Sequence, residues 1–171
     1  QITNTCKDCG AGKYNAAAGA SEAAQCTECP VGKYGTLVVP ATAGACIACG
    51  AGKANPLSGQ KVEGACVICV AGRYQDSTLG TATCIACLAG RYGDAAEQIT
   101  NTCKDCGAGK YNSGAGASEA AQCTECPVGK YGIDVVPATA EACIACGVGK
   151  SNPLSGQKVD SACVICVAGR Y

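Results

Sequence analysis

The sequence contains no histidine, methionine, phenylalanine or tryptophan, and its seven tyrosines are its only aromatic residues. Without histidine, the chain can form neither a Ser-His-Asp triad nor a histidine general base. No pair of carboxylates recurs with the repeat described below. We therefore expect no enzymatic activity, no catalytic residues and no cofactor in this segment.

Clustered charge and long apolar runs are also missing. The 13 cations and 13 anions give a formal net charge of zero, and without a clustered basic face we expect no nucleic-acid partner. No stretch approaches 18 apolar residues, so the sequence predicts no membrane segment. Because residue 1 opens inside a repeat, we expect a secretion signal to lie upstream.

Cysteine, in contrast, is abundant, and all 18 cysteines fall into nine C-x-x-C pairs. This cysteine content, with few aromatic residues, is typical of secreted disulfide scaffolds, which predicts an extracellular or cell-surface location. Each pair is followed three residues later by glycine and then by lysine or arginine, and seven of the nine cations are followed by tyrosine. Because the C-x-x-C pairs recur about every 20 residues, the sequence is a tandem repeat array.

A longer period is superimposed on the short one. Residues 1–74 reappear as residues 98–171 with nine substitutions. We therefore divide the chain into a five-unit super-repeat, 1–97, and a second, incomplete one of four units, 98–171. The predicted fold is small, disulfide-rich and built of β-hairpins and loops with almost no helix. We expect an elongated linear array forming one continuous rod rather than separate globular domains.

Three kinds of site use C-x-x-C pairs. Pairs separated by 15–20 residues suit a four-thiolate zinc site, but the nine pairs here show no alternation between odd and even members. Redox motifs occur singly at a helix N-terminus, where the thiolate is stabilised. The uniform array favours structural disulfides and no bound metal.

The sequence leaves the disulfide connectivity open. Joining the second cysteine of one pair to the first of the next closes every spacer, whereas a crossed scheme joins first to first and second to second. The first scheme leaves Cys6 and Cys166 for cysteines outside this segment. It pairs Cys9 with Cys26, Cys29 with Cys46, Cys49 with Cys66, Cys69 with Cys84, Cys87 with Cys103, Cys106 with Cys123, Cys126 with Cys143, and Cys146 with Cys163.

The stretches CPVGKYG, from Cys29, and CGAGKYN, from Cys9, resemble the cysteine-rich module of tumour necrosis factor receptors and ephrin-receptor-like repeats. In that module, a C-x-x-G-[KT]-[YF] start leads into a hairpin closed by the next cysteine. The resemblance covers nearly the whole chain and implies the second-to-first pairing. Unbroken runs of this simple module are similar to large surface and appendage proteins of single-celled eukaryotes.

The G-[KR]-Y motif is interpreted as a scaffold element rather than a ladder of ligand sites, because it recurs wherever the unit recurs. Its glycine suits a turn that needs positive φ or close backbone approach, and the next two residues suit the start of a strand. In the spacer, Val38-Val39-Pro40 predicts a second short strand at an edge. The scaffold residues are Gly12, Lys13, Tyr14, Gly32, Lys33, Tyr34, Gly72, Arg73, Tyr74, Gly90, Arg91 and Tyr92.

Together, these features predict a secreted structural repeat protein that forms a stiff extracellular stalk, filament or surface appendage. The near identity of the two super-repeats favours self-association, since a binding site usually needs one distinctive unit. The alternative is a receptor-like or surface-antigen ectodomain that binds a protein partner. The chain has no N-x-[ST] sequon, so any sugar is expected to be O-linked.

Overall fold

The computed structural model describes residues 6–20 and 22–170. Regular structure in those residues consists of sixteen two-residue strands and six short 3-10 helices. The strands form eight separate two-stranded antiparallel sheets. The prediction of a disulfide-rich fold of hairpins and loops with almost no helix is therefore confirmed.

Eight disulfides join the second cysteine of one pair to the first cysteine of the next, with Cα atoms 5.5–5.8 Å apart. Cys6 and Cys166 have no partner among the described residues, and their bonding to outside cysteines stays a prediction. We number the closed segments repeats 1 to 8: Cys9–Cys26, Cys29–Cys46, Cys49–Cys66, Cys69–Cys84, Cys87–Cys103, Cys106–Cys123, Cys126–Cys143 and Cys146–Cys163.

Each hairpin pairs the strand after the glycine turn with the dipeptide inside the C-x-x-C that ends the repeat. Such short ladders are unstable alone, whereas a disulfide that closes a loop of this length contributes about 3 kcal/mol. The pairs are Lys13–Tyr14 with Thr27–Glu28, Lys33–Tyr34 with Ile47–Ala48, Lys53–Ala54 with Val67–Ile68, Arg73–Tyr74 with Ile85–Ala86, Arg91–Tyr92 with Lys104–Asp105, Lys110–Tyr111 with Thr124–Glu125, Lys130–Tyr131 with Ile144–Ala145, and Lys150–Ser151 with Val164–Ile165.

A one-turn 3-10 helix precedes the closing cysteine in repeats 1, 2, 3, 6, 7 and 8. In repeat 2, for example, the Cys46 N–H donates to the Ala43 carbonyl at 3.1 Å. This turn brings the chain back to the disulfide. The six helices are Ala23–Gln25, Ala43–Ala45, Glu63–Ala65, Ala120–Gln122, Ala140–Ala142 and Asp160–Ala162.

The strand predicted at Val38-Val39-Pro40 is wrong, because Val38 and Val39 lie in a bend. The carbonyls of this segment instead serve the preceding repeat. Val38 accepts from the Gly10 N–H at 3.0 Å, and Pro40 accepts from the Asn15 N–H at 3.1 Å. Contact with the neighbouring repeat therefore overrides the β-propensity of the two valines.

Backbone contacts divide the chain into two compact units. The first consists of Gln1–Cys69 with Gln75–Cys84, and the second of Val70–Tyr74 with Ile85–Tyr171. The division into super-repeats at residue 97 and the continuous rod stay predictions. Among the described residues, no helix has the length and apolar character needed to span a bilayer.

The buried apolar residues are almost entirely disulfide sulfurs and their carbons. Among the described residues, the buried apolar set is ten cysteines with Ala54 and Ala117. Cys29 and Cys49 are each only 1% exposed. The disulfides therefore fill the space that leucine, valine or phenylalanine occupies in most domains.

Candidate functional site

The glycine of the G-[KR] motif connects neighbouring repeats through both of its backbone polar groups. Its φ lies between 76° and 85° at all nine positions, a region that penalises any residue with a Cβ atom. The Gly12 N–H donates to the Gly35 carbonyl of the next repeat at 2.7 Å, and the Gly12 carbonyl accepts from the Cys29 N–H at 2.8 Å. The same two bonds recur at Gly32, whose N–H donates to the Asn55 carbonyl at 2.7 Å and whose carbonyl accepts from the Cys49 N–H at 2.8 Å.

The same glycine also lies against the repeat after next. A Cβ atom on Gly32 of repeat 2 would overlap the backbone of Gly80 and Thr81 in repeat 4. Equivalent overlaps would arise between Gly12 and Gly59, and between Gly109 and Gly156. Only a residue without a side chain fits this approach, so at Gly12, Gly32 and Gly109 the motif glycine holds its repeat against the next two repeats.

Two cations of the motif form ion pairs across their own hairpins. Lys13 Nζ lies 3.8 Å from Glu28 Oε1 on the opposite strand, and Arg91 Nε lies 2.9 Å from Asp105 Oδ1. These side chains are partly exposed, so each pair contributes about 0–1 kcal/mol.

The predicted scaffold residues lie in the turn and first strand of repeats 1, 2, 4 and 5. Each set stays within its own repeat, and the structure does not gather them into one pocket. The tyrosines Tyr14, Tyr34, Tyr74 and Tyr92 are half-buried. This arrangement suits a scaffold element that the fold copies along the chain.

An exposed ion pair at the hairpin of repeat 5 shifts the pKa values of both its members. Lys104 Nζ lies 2.6 Å from Asp94 Oδ2. The hydrogen bond from Lys104 lowers the pKa of Asp94, and the same bond raises the pKa of Lys104. Both shifts favour the charged pair between acidic and strongly basic pH.

Buried amide side chains lie where successive repeats meet, and the sequence analysis missed them. Asn55 is 1% exposed, and its Nδ2 donates to the Lys33 carbonyl of the preceding repeat at 2.9 Å. Its Oδ1 accepts from the Leu57 N–H at 3.1 Å. A signal was present, because the position after the tyrosine site holds only asparagine, glutamine or glycine in all eight repeats.

Large aliphatic side chains face outward. The sequence has 26 valine, isoleucine and leucine residues, of which Ile2 lies outside the described residues. Of the other 25, 24 are exposed, and Val136 is half-buried. Val67 and its counterpart 97 residues later, Val164, are 61% and 54% exposed.

The exposed aliphatic positions repeat with the longer period. Seven of them between residues 31 and 68, all in the first compact unit, recur 97 residues later in the second. Each compact unit therefore presents a copy of the same apolar set. We call these seven pairs the periodic apolar set: Val31 and Val128, Val38 and Val135, Ile47 and Ile144, Leu57 and Leu154, Val62 and Val159, Val67 and Val164, and Ile68 and Ile165.

Residues 6–20 and 22–170 contain no group of three or more histidine, cysteine, aspartate or glutamate side chains placed to hold a metal ion. Eight disulfides in a chain of this length are typical of an oxidising compartment. The chain is a tandem cysteine-rich repeat protein whose units are small disulfide-closed hairpins. No protein-family model and no curated protein matches it.

Proposed function

We propose that this chain is part of a secreted structural protein that forms an extracellular stalk, filament or surface appendage. In this role, its copies associate laterally through the periodic apolar set, and the chain performs no catalysis. The observation that carries the proposal is the exposure of 24 of the 25 described large aliphatic side chains. The resemblance to receptor-like cysteine-rich modules supports a cell-surface location.

The exposed aliphatic residues provide the driving force for association. Burying such a side chain completely contributes about 1.5–3 kcal/mol, and Val67 and Val164 still have more than half of their surface to bury. Because one chain carries two copies of the apolar set, it binds a partner that also carries two copies more tightly than a single copy would. A second copy of this chain has the required 97-residue period, which is why we propose it as the partner.

A receptor-like or antigen-like ectodomain is the second candidate. One observation favours it: all nine differences between the super-repeats lie between the C-x-x-C pairs, while every cysteine is kept. Leu37, for example, is 56% exposed and is replaced by the exposed Asp134 in the second super-repeat. Variable exposed spacers on a constant disulfide frame suit the display of loops to a protein partner.

Sedimentation of the unreduced chain over a concentration series tests lateral association. We expect concentration-dependent oligomers that weaken when Val67→Thr and Val164→Thr are combined, and that weaken less with either change alone. Leu37→Thr is the matched control, since Leu37 is similarly exposed but has no apolar counterpart 97 residues later. An equal effect of Leu37→Thr would contradict a role for the period.

Electron microscopy of the native, unreduced protein separates the two candidates. Filaments with a regular axial repeat that matches the 97-residue period support the structural role. Separate particles at all concentrations, with a monomeric sedimentation profile, would contradict lateral association and favour the ectodomain.

A further inference from the structure

Where repeats 2 and 3 meet, and again where repeats 7 and 8 meet, both polar atoms of a buried asparagine side chain are hydrogen-bonded. Asn55 makes the two bonds described above, to the Lys33 carbonyl and from the Leu57 N–H. Asn152 makes the equivalent two bonds at 2.8 and 3.1 Å and is 4% exposed. At these two boundaries, the buried asparagine therefore has a partner for both its Nδ2 and its Oδ1.

The three boundaries that flank repeats 4 and 5 differ. Each contains one buried amide atom that has no hydrogen-bond partner among the described residues: Gln75 Nε2 between repeats 3 and 4, Gln98 Oε1 between repeats 4 and 5, and Asn112 Nδ2 between repeats 5 and 6. The three residues are 1%, 7% and 9% exposed, respectively. A buried polar atom without a partner destabilises the closed state, because opening returns that atom to water.

Repeats 4 and 5 also differ in their backbone. Their disulfides span 15 and 16 residues, whereas the other six span 17. All residues of repeats 4 and 5 are described, and neither repeat has the 3-10 helix found in the other six. In repeat 5, the Cys103 N–H donates to the side chain of Asn101 at 3.3 Å instead of to a backbone carbonyl.

We infer that repeats 4 and 5 open before repeats 2, 3 and 7. In repeat proteins, stability is close to a sum of local terms, so a local defect opens locally. This inference concerns opening within the chain and does not depend on the proposed function. It makes the first super-repeat mechanically uneven, with a compliant segment between Cys69 and Cys103.

Native-state hydrogen exchange, measured by NMR on the full unreduced chain, tests the inference with one matched backbone bond. In each repeat compared, the N–H of the motif glycine donates to a backbone carbonyl of the next repeat. The distance is 2.7 Å for Gly32, Gly72 and Gly90 and 2.8 Å for Gly109. After correction for intrinsic rates, we expect Gly72 and Gly90 to exchange about tenfold faster than Gly32 and Gly109. Equal rates at the four glycines, or faster exchange at Gly32 and Gly109, would overturn the inference.

A reciprocal pair of variants tests the role of the amide itself. Gln75→Asn introduces the side chain that is fully bonded at Asn55, so exchange of the Gly52 N–H, which donates to the Gln75 carbonyl at 2.8 Å, should slow several-fold. Asn55→Gln should speed exchange of the Gly32 N–H and leave repeats 6 and 7 unchanged. Unchanged rates in both variants would overturn the role of the amide. Faster exchange in every repeat of Asn55→Gln would overturn local opening.

Discussion

Replacing Gly32 with alanine tests the contact between repeats two apart, because Gly107 offers a similar backbone geometry without that contact. The φ angles of Gly32 and Gly107 are 77° and 81°, and each N–H donates to a carbonyl of the next repeat, at 2.7 and 3.0 Å respectively. A Cβ atom on Gly32 would overlap Gly80, whereas a Cβ atom on Gly107 would have no described atom within 4 Å. Both substitutions therefore place alanine at positive φ, and only Gly32→Ala meets the repeat after next.

The expected magnitudes follow from these two geometries. Alanine at positive φ loses about 1–2 kcal/mol of stability relative to glycine, and we expect this loss for Gly107→Ala. Forcing a methyl group against packed backbone adds about 1–3 kcal/mol. The loss for Gly32→Ala is therefore expected to be about 2–5 kcal/mol, and the difference between the two variants measures the contact between repeats 2 and 4.

Local exchange rates provide the assay, because a repeat array need not unfold in one step. The Cys49 N–H donates to the Gly32 carbonyl between repeats 2 and 3, and the Cys126 N–H donates to the Gly109 carbonyl between repeats 6 and 7, both at 2.8 Å. We expect the exchange of Cys49 to accelerate more in Gly32→Ala than that of Cys126 in Gly107→Ala. Equal acceleration in the two variants would refute contact between repeats two apart.

Three further changes test other parts of the structure. Cys29→Ser should leave Cys46 open to alkylation and destabilise repeat 2 by about 3 kcal/mol, as measured by mass spectrometry and exchange, with repeats 6 to 8 unaffected; a collapse of every repeat would contradict local stability. Asn55→Ala removes the Asn55 side-chain donor to the Lys33 carbonyl and should cost about 1–3 kcal/mol of local stability, measured by exchange of the Gly32 N–H, and more than the same change at an exposed asparagine such as Asn101. Asp94→Asn should remove a pH dependence of repeat 5: the lowered pKa of Asp94 means that its stabilisation is present above the ordinary value of 3.8 and is lost as pH falls through the lower folded value. If acid changes the exchange rates of repeat 5 in neither the unchanged chain nor the Asp94→Asn variant, the link between Asp94 ionisation and local stability is contradicted.

Local chemistry made the hairpins predictable. The spacing from Cys29 through Gly32 to Tyr34 marks a turn and a strand start, since a glycine at positive φ leaves few alternatives for the next two residues. The excess of cysteine over aromatic residues likewise indicated that disulfides replace a conventional core. These features depend on a few neighbouring residues, which a single sequence displays.

Contacts between repeats were not predictable from the sequence. Val38 and Val39 have high β-propensity, yet they lie in a bend because the Val38 carbonyl accepts from Gly10 of the preceding repeat. The burial of Asn55 and the overlap between Gly32 and Gly80 likewise depend on how one repeat lies against the next. A sequence pattern defines the unit, whereas the stacking geometry decides which polar groups that unit buries.

Disulfide mapping tests the central claim most directly, because every repeat is defined by its own disulfide. The unreduced protein would be cleaved by protease, and the linked peptides would be identified by mass spectrometry. The structure requires peptides that join Cys29 to Cys46 and Cys49 to Cys66. Peptides that join Cys26 to Cys46 and Cys29 to Cys49 would show a crossed ladder and contradict the account.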